Sequence, residues 1–76
     1  MSNFTYAVEQ RMRFIDFLVA QYGTLNRGAL VDYFGISTVQ ASNDIREYMK
    51  LAPANISYDL TAKTYVRGPE FFRVWP

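Results

Sequence analysis

The chain has no cysteine and no histidine among its 76 residues, so disulfide staples, thiolate metal sites, imidazole ligands and the usual general base are all excluded. Its seven carboxylates are scattered without a pairing pattern, and no glycine-rich loop opens a helix as a nucleotide site requires. An enzyme is therefore not expected, nor is a cofactor or a metal. No apolar run approaches the roughly 18 residues of a membrane span, and the first residues lack the basic-then-apolar layout of a secretory signal. A cytoplasmic protein without a membrane partner is the expectation. Charge of one sign is also scarce, with eight Lys and Arg against seven Asp and Glu for a net +1, so any contact with a polyanion must rest on where the charges sit.

What the chain does have is apolar material: half of the residues are hydrophobic and 17% are aromatic. A domain this short buries only about 60% of its unfolded surface, so every element has to serve one core. Val8, Met12, Ile15, Val19 and Tyr22 fall on one stripe of a first helix that ends at Gly23. Thr24-Leu25 can be extended. Asn26 then caps a short second helix that turns Leu30, Val31 and Phe34 inward and stops at Gly35, where a left-handed residue is wanted. Ser37 caps a third helix, with Gln40 three residues on completing a possible capping box. That helix is expected from Thr38 to about Leu51, with Ala41, Ile45, Tyr48 and Met49 inward and Pro53 as its stop. Ile56–Asp59 and Thr64–Arg67 read as strands around the loop Leu60-Thr61-Ala62-Lys63.

This order predicts a mostly α fold with a small β-hairpin: three helices plus a two-stranded wing, a winged helix-turn-helix over residues 1–68, with 69–76 as a tail. The turn Gly35-Ile36-Ser37 supplies in order a residue without Cβ, a core anchor and a cap. It leaves the third helix free to enter a major groove about 12 Å wide. With Ala41 defining the buried direction at roughly 100° per residue, Val39, Asn43, Arg46 and Lys50 point outward, flanked by Gln40, Ser42 and Glu47. Asn43 and Gln40 can pair with adenine, Val39 can meet a thymine methyl, and Arg46 and Lys50 suit guanine or phosphate. Ser37, Thr38 and Ser42 lie near enough to join them. Arg27 at the start of the second helix, and Lys63 and Arg67 from the wing, are expected on phosphates. A Gln40 folded back as a capping partner cannot read a base in that rotamer, which ranks it below Asn43. Tyr58 and Tyr65 are expected to pack the wing on the core.

The plain alternative leaves these charges as solvated surface, with Glu47 and Asp44 close enough to pair with them. The aromatic surplus is a separate matter. Phe14 and Phe17 flank the core stripe of the first helix, and Phe71, Phe72 and Trp75 follow the break at Gly68-Pro69. Three readings of the tail stay open: it covers the Phe14/Phe17 flank, both belong to a dimer interface, or it is disordered. The rival function follows from the same residues, a winged helix working as a protein-interaction or dimerisation module.

The string Phe34-Gly35-Ile36-Ser37, Gln40-Ala41-Ser42, Asp44, Tyr48, Leu51-Ala52-Pro53, Asn55, Tyr58-Asp59, Ala62-Lys63 and Tyr65-Val66, with Arg13-Phe14-Ile15-Asp16-Phe17 and Asn26-Arg27 upstream, resembles the amino-terminal winged-helix domain of WYL-domain transcriptional regulators. It is most similar to the subgroup associated with bacterial phage defence. The resemblance implies a nucleoid-associated homodimeric repressor that binds double-stranded DNA at an inverted-repeat operator and senses a ligand through a separate downstream domain. No small-molecule ligand is expected in this segment.

Overall fold

The computed structural model describes residues 4–76. Helix α1 spans Tyr6–Tyr22, strand β1 Thr24–Leu25, helix α2 Arg27–Phe34, helix α3 Thr38–Leu51, and strands β2 and β3 Ile56–Asp59 and Thr64–Arg67. The helix ends are set by local chemistry. Thr5, Asn26 and Ser37 each accept a hydrogen bond from the backbone N–H three residues on, satisfying donors the first turn cannot use. Gly23 and Gly35 close α1 and α2 at φ 76° and 69°, a left-handed conformation that a Cβ would strain. Ala52 ends α3 one residue before Pro53.

The short strand at Thr24–Leu25 joins the two-stranded wing to make a three-stranded sheet, in the order β1-β3-β2 and antiparallel throughout. Thr24 pairs with Val66 and Leu25 with Tyr65, so the two residues between α1 and α2 tie the wing to the helices. The Thr64 hydroxyl adds a bond to the Leu25 carbonyl at 2.9 Å.

Met12, Ile15 and Val19 from α1, Leu25, Leu30 from α2, Ala41, Ile45 and Tyr48 from α3, and Ile56 form the buried core. Each of the larger apolar side chains contributes about 1.5–3 kcal/mol by leaving water. Three expectations need correction. Tyr22 is 70% exposed, because α1 ends there and the left-handed Gly23 carries the chain away. Val31, Phe34 and Met49 reach only the margin of the core. The buried arcs of α1 and α3 instead each include an aspartate, Asp16 and Asp44.

The tail is docked. Phe72 exchanges backbone hydrogen bonds with the Asn55 side chain at 3.0 and 2.9 Å, and the N–H groups of Val74 and Trp75 donate to Asp16. Phe71, Val74 and Trp75 rest against the core, while Phe72 projects outward. The Arg13 guanidinium lies 5.7 Å from the Trp75 ring centre.

Candidate nucleic-acid interface

Helix α3 presents Val39, Asn43, Arg46 and Lys50 to solvent as its period requires, opposite the buried Ala41, Asp44, Ile45 and Tyr48. Two contacts order this row without using it up. Arg46 donates to Asn43 Oδ1 at 2.6 Å, and Lys50 pairs with Glu47 at 3.2 Å. Both are exposed, so each is worth only a few tenths of a kcal/mol and can open toward a ligand.

Beside α3 a cleft of about 440 Å³ is lined by Asn26, Arg27, Gly28, Ser42, Tyr58, Lys63, Thr64 and Tyr65. It lies where the N-terminus of α2, the flank of α3 and the wing meet. The amides opening α2 carry partial positive charge. Arg27 leans across to Ser42 Oγ at 3.2 Å, fixing its guanidinium at the cleft rim. On the wing side, Asp59 Oδ1 accepts from the backbone of Thr61 and Ala62, and Lys63 adopts φ 56°. The four-residue turn is thereby closed with Lys63 and Leu60 exposed. Tyr65 packs on the core as expected and Tyr58 packs edge-on against it at 5.0 Å, leaving Tyr58 half exposed in the cleft.

Charge placement explains how a net +1 chain can have a positive face. Among the described residues four ion pairs form: Arg11–Asp44, Arg13–Glu9, Lys50–Glu47 and Arg73–Asp16. The cations outside them are Arg27, Arg46, Lys63 and Arg67, and the first three stand on α3 or at the cleft. Arg67 does not join them. It sits at the base of the hairpin opposite Ile56 and donates to the Ala20 and Val19 carbonyls at 2.9 and 3.4 Å, capping the C-terminus of α1.

Gln40 also differs from expectation. Its backbone N–H does bond to Ser37 Oγ at 3.1 Å, but its side chain does not return to complete a capping box. It donates instead to Asp44 Oδ1 at 2.9 Å. Asp44, which the solvated-surface alternative pairs with the outward charges, is 2% exposed and held by Arg11 of α1 at 2.5 Å. Arg11 was invisible to a reading of the third helix alone. The available signal was the spacing 41, 44, 45, 48, which puts Asp44 on the buried arc and therefore calls for a cation beneath it.

The aromatic residues expected at a partner surface separate. Phe14 stacks on Tyr33 at 4.4 Å and meets Phe34 edge-on at 5.3 Å, so α2 covers it. Phe71 and Trp75 are half-buried, and the exposed rings are Phe17 and Phe72, the latter at 83%. No helix among the described residues is long and apolar enough to cross a membrane.

Comparison with known proteins agrees with this architecture. The chain is 47% identical over 68 residues to the DNA-binding transcriptional repressor CapW of Pseudomonas aeruginosa, covering 90% of this chain and 23% of that protein. It is 49% identical over 65 residues to CapW of Escherichia coli (strain KTE188), covering 86% of this chain and 21% of that protein. A CapW of Stenotrophomonas maltophilia is 37% identical over 70 residues, covering 92% of this chain and 23% of its own. The chain thus spans less than a quarter of the length of these relatives. Residues 7–75 match the family described as the BrxR transcriptional regulator winged helix-turn-helix domain, which takes in α1 from its second residue, both other helices and all three strands. The chain belongs to the BrxR transcriptional regulator winged helix-turn-helix domain family.

Proposed function

We propose that this chain is the operator-reading domain of a bacterial transcriptional repressor, which binds double-stranded DNA as a homodimer on an inverted repeat. The observation that carries the proposal is that Arg27, Arg46 and Lys63, cations without a carboxylate partner among the described residues, border one surface with the exposed polar row of α3. The CapW relatives, named as DNA-binding repressors, support the same reading. Helix α3 enters the major groove, where Asn43, Gln40 and Val39 meet base edges and Arg46 and Lys50 meet guanine or phosphate. Ser37, Thr38 and Ser42 stand at the backbone, and one DNA strand runs along the cleft between Arg27 and Lys63. Such a regulator works in the cytoplasm on the nucleoid, and the likeness to WYL-domain regulators supports a role at phage-defence genes. Phe17 and Phe72 are the rings left open for a dimer contact.

Retention of duplexes from a random pool at two salt concentrations tests this reading. The expected result is an enriched inverted repeat with half-sites about one helical turn or a multiple apart. Absence of any retention at low salt overturns it.

A further inference from the structure

Gln40 lies in the first turn of α3, and its side-chain amide is not a free rotor. The Nε2 group donates to Asp44 Oδ1 at 2.9 Å. A carboxylate only accepts, so the nitrogen end of the amide has to face Asp44 and the carbonyl end has to face away. Asp44 itself cannot turn. Arg11 Nε donates to its Oδ2 at 2.5 Å and Arg11 Nη2 to its Oδ1 at 3.3 Å, a two-point fork that fixes the plane of the carboxylate. Both partners are withdrawn from solvent, with side-chain exposures of 12% and 3%, so water does not compete for the arrangement. Gln40 keeps one N–H and its Oε1 unused, a donor and an acceptor of the kind that the N7 and N6 edge of adenine takes.

We propose that Arg11 and Asp44 are positioning residues for base reading, a relay from α1 through the buried carboxylate that sets the amide of Gln40 to read adenine. This rests on the DNA-binding reading of α3 given above. It gives α1, which does not itself belong to the helix-turn-helix pair, a part in specificity. It also makes Gln40 a base-reading residue on a par with Asn43, because a preset amide does not have to be ordered on binding.

The test compares base preference, not affinity alone, in duplex selection by the 76-residue chain and its variants Q40A, D44N and R11K. Asparagine at 44 can donate as well as accept, so it no longer dictates which way Gln40 faces. The expected result is that Q40A loses roughly tenfold preference for adenine at one base pair of the enriched site. D44N and R11K should weaken preference at that same base pair and leave the others. An even loss across all positions, or an unchanged Q40A-sensitive base pair in D44N and R11K, overturns the proposal. Because loss of a buried ion pair threatens folding, a measurement on the unmodified chain stands beside it. The Gln40 side-chain amide protons, assigned by their disappearance in Q40A, should exchange with solvent more slowly than those of the exposed Gln21. Equal exchange overturns the relay even where the DNA reading holds. A wild-type chain that enriches no sequence removes the DNA reading and this proposal with it, whatever the amide exchange shows.

Discussion

The Tyr48 hydroxyl donates to Asp16 Oδ1 at 2.5 Å, joining the inner face of α3 to the inner face of α1. The same carboxylate accepts from the Val74 and Trp75 backbones and from Arg73 Nε. The other side of the Tyr48 oxygen accepts from Asn55 Nδ2, and Asn55 in turn holds Phe72. One buried polar cluster thus binds the tail, the third helix and the first helix together. Among the described residues no buried side-chain nitrogen or oxygen lacks a partner, and a network satisfied to that degree specifies one arrangement of the elements it joins.

Removing the hub should therefore cost more than a surface carboxylate would. Asp16→Ala leaves the Tyr48 hydroxyl and two tail amides without an acceptor, a loss of about 3 kcal/mol. That corresponds to a fall in thermal midpoint of roughly 12 °C or more in a domain of this size. Trp75, the single tryptophan, should shift its emission to the red as the tail leaves α1. Asp16→Asn, which keeps one acceptor, should fall between. A variant with unchanged midpoint and emission would show that the tail is held by its apolar contacts alone.

The same bond sets the response to alkaline pH. Burial pushes the Tyr48 phenol above the ordinary tyrosine range, and its hydrogen bond to Asp16 pushes it further. A group raised on folding stabilises fully below its unfolded pKa and loses that contribution as pH climbs toward the folded value. Stability should thus fall once pH passes about 10, where the unfolded tyrosine ionises and the folded one does not, with up to about 1.4 kcal/mol per pH unit from this one proton. Absorbance titration of the native chain should show one of its six tyrosines silent until unfolding. Tyr48→Phe should remove that silent step and flatten the alkaline slope.

Asp16 and Asp44 also mark where sequence reading stopped. Caps and left-handed glycines are local chemistry, so Ser37, Asn26, Gly23 and Gly35 fixed the helix limits well, and the span of α3 and both wing strands follow from residues close in sequence. The two aspartates occupy the i+4 place of 12, 15, 16, 19 and the i+3 place of 41, 44, 45, 48, both within the apolar period. A reading that sorts positions by hydrophobicity sends them outward, because their partners Tyr48 and Arg11 lie 32 and 33 residues away. The bonds of Arg67 to the end of α1 are hidden from the sequence for a related reason. Its strand was legible, but the carbonyls it caps belong to a helix end brought alongside only by the β1–β3 pairing.

Gly68 appeared as a linker break and is instead a close approach. Its N–H donates to the Asn55 carbonyl at 2.8 Å, and a Cβ on it would stand 2.1 Å from the Ala54 carbonyl oxygen. Backbone cannot yield there as a flexible side chain would. Gly68→Ala is expected to destabilise by about 1–3 kcal/mol and to loosen the tail that follows, seen as lower thermal midpoint and red-shifted Trp75 emission together. A neutral outcome would mean that the strand end and the 52–55 turn can part without loss.

The proposed interface separates cations by what they already hold. Among the described residues Arg27, Arg46 and Lys63 hold no carboxylate and Lys50 holds only the exposed Glu47, which it can release, so the log-log salt slope is about −3.6 per domain if all four displace counterions. Arg27→Ala and Lys63→Ala should each weaken binding across all sequences and reduce the magnitude of that slope by about 0.9. Arg67→Ala should behave in the opposite way. Its guanidinium is committed to the last carbonyls of α1, so its loss should cost about 1 kcal/mol of stability while the salt slope stays as in the parent. Binding isotherms at four or more salt concentrations, alongside thermal melts, separate the two behaviours. A slope that drops in Arg67→Ala with stability intact would move the DNA path toward the base of the hairpin, and a slope unchanged in Arg27→Ala and Lys63→Ala would take it off the cleft.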